Sequence, residues 1–312
     1  METLWQDLRY GLRMLWKSPG VTGIAVLALA LGIGANSAIF SVINGVLLRP
    51  LPFADPDRLV RLSEWSQQVP GMSISYPNFT DWREQNHVFE GIAATQFGSY
   101  NLTGVDEAER LQGRNVSANF FDVLGVKPAQ GRSFLPEDDH AGANRVCVIS
   151  HGLWQRRFGA DAKMLGRVLT LNGESYTVVG VLPQDYRYGT ATDVFVPIGL
   201  QEDAETVRMR DNHPGIYAVA RLKPGVSFEG AEAEMKGIAQ RLAQAYPKEN
   251  GGNSITLTPL REYFVGDIRA SLLILLGAVG FVLLIACANV ANLLLARAAS
   301  RAREIAIRTA LG

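Results

Sequence analysis

The chain has 312 residues, 30 Lys and Arg against 30 Asp and Glu, and 47% apolar residues. A net charge of zero gives no reason to expect nucleic acid as a partner, because phosphate recognition needs a basic field. Two cysteines, Cys147 and Cys287, supply neither a disulfide framework nor paired zinc-ligand spacing and read as small apolar fillers. The average hides an uneven chain: charge vanishes from two stretches, and of 14 prolines only Pro19 lies outside the interval Pro50 to Pro259.

In residues 1–17, Leu4, Trp5, Leu8, Leu12, Leu15 and Trp16 fall within about a third of a helix circumference, away from Gln6, Arg13 and Lys17. This pattern predicts an amphipathic helix in the membrane interface, with Trp5 and Trp16 as anchors at headgroup depth in contact with lipid. The alternative is a helix packed on another cytoplasmic part.

Ser18 to Leu48 carries no charged side chain over 31 residues, and a second uncharged run, Ala270 to Ala296, covers 27. At about 1.5 Å per residue these reach about 46 and 40 Å, against a hydrocarbon core of about 30 Å. The expectation is a first transmembrane helix over 18–48 with a stalk extension and a second over 270–297. A cleavable signal peptide is the rival reading of the first run, with Ala28-Leu29-Ala30 as its cleavage site. Its apolar region would be shorter than this one, which continues through Ile39, Phe40, Val42, Ile43 and Val46 to Leu48.

Polar residues inside the runs are small or amide: Gly32, Asn36 and Asn44 in the first, Gly277, Gly280, Asn289 and Asn292 in the second. They read as helix-packing positions, where close approach and interhelical hydrogen bonds hold spans together. Neither run contains Asp, Glu, Lys, Arg or His, so a proton relay has no carrier there.

Arg9, Arg13 and Lys17 precede the first run; Arg297, Arg301, Arg303 and Arg308 follow the second. Basic flanks stay cytoplasmic, whereas a long intervening domain crosses largely regardless of charge. Both ends are therefore expected inside a bacterial inner membrane. Residues 49–269, with 23 basic and 27 acidic side chains, are expected outside the cytoplasm.

That outer stretch has the punctuation of a mixed α/β (α+β) fold. Val168 to Leu171, Asn172-Gly173 and Tyr176 to Val179 signal a type I′ hairpin. Further strands are expected at Arg145–Ser150, Asp193–Pro197, Ile216–Leu222 and Ser254–Leu260. One helix begins near Pro77 with Phe79, Trp82 and Phe89 inward; another follows Ser227 with Ala231, Met235, Ile238, Leu242 and Ala245 inward and stops at Pro247. Two subdomains are expected.

The chemistry of the stretch is sparse. The histidines 87, 140, 151 and 213 lack ligand spacing, and no His-Glu-x-x-His, Gly-x-Ser-x-Gly or Gly-x-x-x-x-Gly-Lys motif occurs. Glu137, Asp138 and Asp139 beside His140 suit a cation or, more commonly, a solvated turn. The sequence thus gives no catalytic, cofactor-binding or metal residues.

Four stretches resemble the permease subunits of MacB/FtsX-type ABC transporters, closest to the duplicated branch whose ATPase is encoded separately. The first joins Asp7-Leu-Arg-Tyr-Gly-Leu-Arg-Met-Leu, Lys17-Ser-Pro-Gly and Ala28-Leu-Ala-Leu-Gly-Ile-Gly-Ala-Asn. The second is Val46-Leu-Leu-Arg-Pro-Leu-Pro-Phe with Ser75-Tyr-Pro-Asn-Phe-Thr-Asp-Trp-Arg. The third is Val116-Ser-Ala-Asn-Phe-Phe-Asp-Val-Leu-Gly-Val with Ser150-His-Gly-Leu-Trp-Gln-Arg-Arg-Phe-Gly, and the fourth runs from Ala291 to Gly312.

The resemblance implies a MacB-like periplasmic core domain between two spans. It also implies further permease helices or a second copy, and a separate ATPase that uses ATP and magnesium while this chain binds no cofactor. A periplasmic client or adaptor and mechanical coupling through the stalk complete the expectation. Residues 298–312 match the start of an FtsX-like permease region cut short, so the chain reads as a fragment or truncated product. Arg297, Arg301, Arg303, Glu304 and Arg308 are the candidate ATPase contact, or serve only as a topology signal. A two-span receptor with an outer sensor domain and a membrane-anchored outer enzyme are the competing classes.

Overall fold

A computed structural model describes residues 5, 9, 19–48, 51–105, 107–189 and 191–310. The chain divides into two compact units, a helical one formed by residues 1–49 and 265–312 and a large domain over 50–264.

The helical unit holds α1 (Pro19–Ile43), which passes into a π-helical stretch, Asn44–Leu48, and most of a 51-residue helix, Leu260–Ala310. Thr22–Ile43 and Ile268–Asn292 are long and apolar enough to cross a bilayer. The expected interfacial helix, Trp16 included, lies outside the described residues except for Trp5 and Arg9, both helical and exposed.

In the large domain, chain order gives β1 (Leu59–Trp65), α2 (Tyr76–Gln85), β2 (Phe89–Thr103), β3 (Glu109–Val116) and α3 (Phe120–Leu124). Next come β4 (Gln130–Gly131), β5 (Val146–Ile149), α4 (His151–Phe158), β6 (Val168–Leu171), β7 (Glu174–Val181) and β8 (Val194–Pro197). Last are α5 (Glu205–Arg208), β9 (Ile216–Leu222), α6 (Phe228–Ala245), β10 (Ser254–Pro259) and the long helix, α7 (Leu260–Ala310). Three helices open on a serine cap: Ser75, Ser150 and Ser227 accept from the N–H of Asn78, Leu153 and Gly230.

All ten strands form one sheet in the order β10-β1-β9-β2-β3-β8-β5-β7-β4. Strand β6 pairs with both β2 and β7, so β2-β3-β8-β5-β7-β6 closes into a six-stranded ring. Leu102, Leu111, Ile149, Leu171, Val178 and Val196, one from each ring strand, share a single buried cluster, which fills the ring with side chains. Strand β2 is 15 residues long; its first half pairs with β9 and its second with β3 and β6. This shared strand joins the two subdomains expected from the sequence, the open sheet and the ring, into one compact unit.

Alternation along the strands splits the open half into two faces. Val60, Leu62, Ile92, Ala94, Ala218 and Ala220 meet Phe79 and Trp82 of α2 and Met235, Ile238 and Leu242 of α6. On the other face Leu59, Ala93, Val116 and Val219 meet Phe120 and Phe121 of α3 and Leu260 of α7. The hairpin forms as expected, with Asn172 at φ 53° and Gly173 at φ 85° in the turn that closes β6 on β7. Phe89, expected on the helix from Pro77, instead begins β2, because α2 stops at Gln85 and Asn86 caps it. Leu260, expected to end a strand, is the first residue of α7.

Candidate functional site

Leu260 and Phe264, one turn apart on α7, pack on the second face of the open sheet; Leu260 is fully buried there. Tyr263, between them in sequence, covers Arg61 of β1, whose guanidinium lies 4.2 Å from the Tyr263 ring centre and 3.9 Å from that of Tyr217 on β9. Such sandwiches hold a cation to aromatic faces without a carboxylate. The Phe264 ring meets Tyr188 edge-on at 5.4 Å, and Tyr188 meets Phe120 at 5.1 Å. Gly189, at φ 65°, lets the backbone pass Phe264: a Cβ there would lie 3.2 Å from the ring.

Behind this contact Arg114 of β3 is 3% exposed. Its guanidinium lies over Phe97 at 3.9 Å and near Tyr188 at 5.0 Å; Nη1 donates to Thr95 Oγ1 and Nε to Thr192 Oγ1. No carboxylate pairs with it among the described residues. Burial lowers the pKa of Arg114, with the neighbouring tyrosines opposing, and burial pushes the Tyr188 phenol up to about 12. The first turn of α7 is therefore built into the large domain by the buried Leu260, by Phe264 against the buried Tyr188 ring, and by Tyr263 over the Arg61 guanidinium. The sequence reading missed this joint. Its available signal was arginine inside otherwise apolar strand sequence, as at Leu59-Val60-Arg61-Leu62.

In the helical unit, Gly32 and Asn36 of α1 approach the apolar part of α7. A Cβ on Gly32 would lie 3.0 Å from Leu283 Cδ1 and 3.8 Å from Ala286 Cβ. Asn36 Nδ2 donates to its own helix at Gly32 O (2.9 Å) and across to Val279 O (3.1 Å). The structure brings Gly32 and Asn36 together with Val279, Leu283 and Ala286, the last three unmarked in the sequence reading. Gly277 and Gly280 have open space where a Cβ would stand, Asn289 and Asn292 are exposed, and Asn44 is half-buried in the π stretch. Arg297, Arg301, Arg303, Glu304 and Arg308 lie on helical backbone near the end of α7. By helical period, positions 297, 301, 304 and 308 recur on one face and 303 falls off it.

The acidic cluster has a third use. Asp138 is buried, bonded to Arg132 and to the Leu135 N–H. Asp139 accepts from the N–H groups of Ala118 (2.7 Å) and Gly199 (2.6 Å), while burial raises its pKa against those two bonds. Both staple backbone rather than stand in a solvated turn. Among the described residues no group of three or more metal-ligating side chains is placed to hold an ion. A Cβ on Gly199 would lie 2.2 Å from Asp139 O, so Gly199→Ala is expected to cost about 2–3 kcal/mol by overpacking against backbone. Denaturant unfolding checks this, and a midpoint equal to wild type would refute it.

A family model described as "MacB-like periplasmic core domain" matches residues 22–238. The pyoverdine export ATP-binding/permease protein PvdT of Pseudomonas syringae pv. tomato is 26% identical over 225 residues, 71% of this chain and 32% of that protein. The macrolide export ATP-binding/permease protein MacB of Hahella chejuensis is 25% identical over 320 aligned positions, 98% of this chain and 45% of that protein. The chain thus spans 32% to 45% of the length of these curated relatives. The solved periplasmic region of MacB from Actinobacillus actinomycetemcomitans superposes with a TM-score of 0.51 at 16% identity, covering 74% of this chain and 98% of that one, a likeness of fold. With two apolar helices bracketing that fold, the chain belongs to the MacB-like periplasmic core domain family of ABC transporter permeases.

Proposed function

We propose that this chain forms part of an ABC export permease in which ATP hydrolysis moves the large domain by way of α7. The observation that carries this reading is a single helix of 51 residues whose first turn is built into the large domain. At about 1.5 Å per residue it is about 76 Å long, enough to cross a bilayer and project beyond it. A continuous helix resists compression and bending, so displacement at one end reaches the other.

ATP and magnesium are used by an ATP-binding part, on a separate subunit in our reading, while the names of the relatives join both functions in one protein. Positions 297, 301, 304 and 308 are its proposed contact. Alanine at all four, in the full-length permease with its ATPase, is expected to lower hydrolysis at least about tenfold, a loss of about 1.4 kcal/mol in coupling. Unchanged hydrolysis would leave these residues as a topology signal only. The client is an export substrate of the kind the pyoverdine and macrolide names suggest, delivered with the help of a periplasmic adaptor, further permease helices or a second copy.

In this reading the large domain lies outside the cytoplasm and both ends inside, as the basic flanks suggest. A membrane-impermeant maleimide is expected to label Glu229→Cys on whole cells and Ala299→Cys only after the inner membrane is opened. The reverse pattern would invert the topology. Cys147 is fully buried, and burial raises its thiol pKa, which keeps it silent in the assay.

A further inference from the structure

Arg210 sits in a site whose walls belong to other elements. Its Nη1 donates to Asn78 Oδ1 and to Asp81 Oδ2 (2.6 Å), and the guanidinium lies 3.8 Å from the centre of the Tyr246 ring. Asn78 and Asp81 are neighbours on one side of α2, and Tyr246 follows the last turn of α6. A carboxylate, an amide oxygen and an aromatic face together suit a guanidinium, which offers planar donors at its edge and positive charge to a ring. Asn78 is 3% exposed, and its Nδ2 donates to Glu64 Oε1 (2.7 Å) and to Asn250 Oδ1 (3.1 Å). Glu64 and Asn250 are themselves buried. These bonds fix the amide, so its oxygen stays aimed at the cation.

The arm that carries Arg210 is held quite differently. Residues 202–215, between β8 and β9, include α5 and contribute no buried side chain. Their ends are pinned by single hydrogen bonds: the Ala141 N–H donates to Glu202 (3.2 Å), Gln96 Nε2 to Pro214 O (2.8 Å) and the Gly215 N–H to Ser73 Oγ (3.1 Å). A stretch with so little apolar burial opens locally at a small part of the cost of unfolding the domain. The walls, by contrast, rest on α2, α6 and β1, whose Trp82, Met235, Leu242 and Leu62 share one buried cluster. A rigid receptor thus faces a cation mounted on a detachable arm. Withdrawing the arm would leave Asp81 without its ion pair and the Tyr246 face uncovered.

We propose that Asn78, Asp81 and Tyr246 form a receptor for an alkylguanidinium group, with Arg210 as its built-in occupant. The occupant is displaced when residues 202–215 swing out and an arginine of another chain, or a free guanidinium compound, takes its place. Competition sets the affinity: an outside ligand binds more weakly by the fraction of time that the arm is open. None of these residues lies on α7, so the site stands or falls apart from the transmission reading.

The test titrates the full chain in lipid nanodiscs with ethylguanidinium up to about 50 mM, far below the molar range in which guanidinium denatures, against sodium chloride of equal ionic strength. Arg210→Ala keeps the walls and empties them. Its unfolding midpoint is expected to rise with ethylguanidinium, with binding at least about tenfold tighter than in the wild type, where Arg210 competes. Adding Asp81→Asn to Arg210→Ala is expected to weaken that binding at least about fivefold. No rise in Arg210→Ala, or the same rise once Asp81→Asn is added, would overturn the proposal. Should Arg210→Ala fail to fold, hydrogen exchange on the wild type decides. Ethylguanidinium is then expected to speed exchange across residues 203–213 at least about threefold while α2 keeps its rate, and unchanged exchange would overturn the proposal. The peptide acetyl-Ala-Arg-Ala-amide, run in parallel, separates the two sources. Tighter binding by the peptide supports the site as one for an arginine borne on a chain; equal binding supports it as one for a free guanidinium compound.

Discussion

Gly266→Pro is expected to abolish export by the full-length permease while its partner continues to hydrolyse ATP. Gly266 lies in α7 just beyond the turn that carries Tyr263 and Phe264, and it is exposed, so the substitution disturbs no core. Proline there removes the hydrogen bond to the carbonyl four residues back and collides with it, a cost of about 3 kcal/mol that is relieved by a kink. A kinked rod absorbs displacement instead of passing it on. Gly266→Ala serves as the control: it strengthens the helix by about 1 kcal/mol and leaves export intact. Parallel transport and hydrolysis assays separate the outcomes. Export that survives the proline would mean that α7 does not carry the motion.

Phe120→Ala is expected to destabilise the large domain by about 3–5 kcal/mol, near the upper end for a single side chain. Phe120 is fully buried and packs edge-on against Phe121 at 5.5 Å and Tyr188 at 5.1 Å, with Phe195 at 6.4 Å. Tyr188 in turn supports Phe264. The cavity would therefore open beside the joint and loosen the first turn of α7 along with the core. Phe97→Ala, at a ring that is 56% exposed, is expected to cost no more than about 1.5 kcal/mol through the lost stacking on Arg114. Denaturant midpoints in detergent check the pair. Equal losses at the two positions would contradict the placement of Phe120 at the centre of this core.

How far the fold could be read from the sequence depended on whether local signals agreed with tertiary demand. The Asn172-Gly173 hairpin and the helix after Ser227 were legible because turn chemistry and apolar period both act locally. Strand β2 was not: it alternates poorly, contains Gly91 and Gly98, and takes its strand form from partners on both sides, β9 first and then β3 and β6. The closure of the ring through β6 rests on pairings of long sequence separation, which no local window contains. The same holds for the site. Gly32 and Asn36 were visible as small and amide residues in an apolar run, whereas Val279, Leu283 and Ala286, which meet them, look like any other lipid-facing residues. Arg61 and Arg114 read as strand polar residues until the folded sheet stacks Tyr217, Tyr263, Phe97 and Tyr188 around them. Asp139 resembled a turn carboxylate because its N–H donors, on Ala118 and Gly199, lie 21 and 60 residues away.

The proposed transmission role of α7 is tested most directly by the distance between spin labels at Glu262→Cys and Ala306→Cys. The full-length permease, with its ATPase, is placed in nanodiscs and diluted with unlabelled protein. A straight helix puts the two positions about 66 Å apart. The expected result is one narrow distribution near that distance, the same without nucleotide and with ATP bound, so that the helix moves as a rod. A distribution that shortens or broadens on ATP binding would show that α7 bends, and would contradict the account.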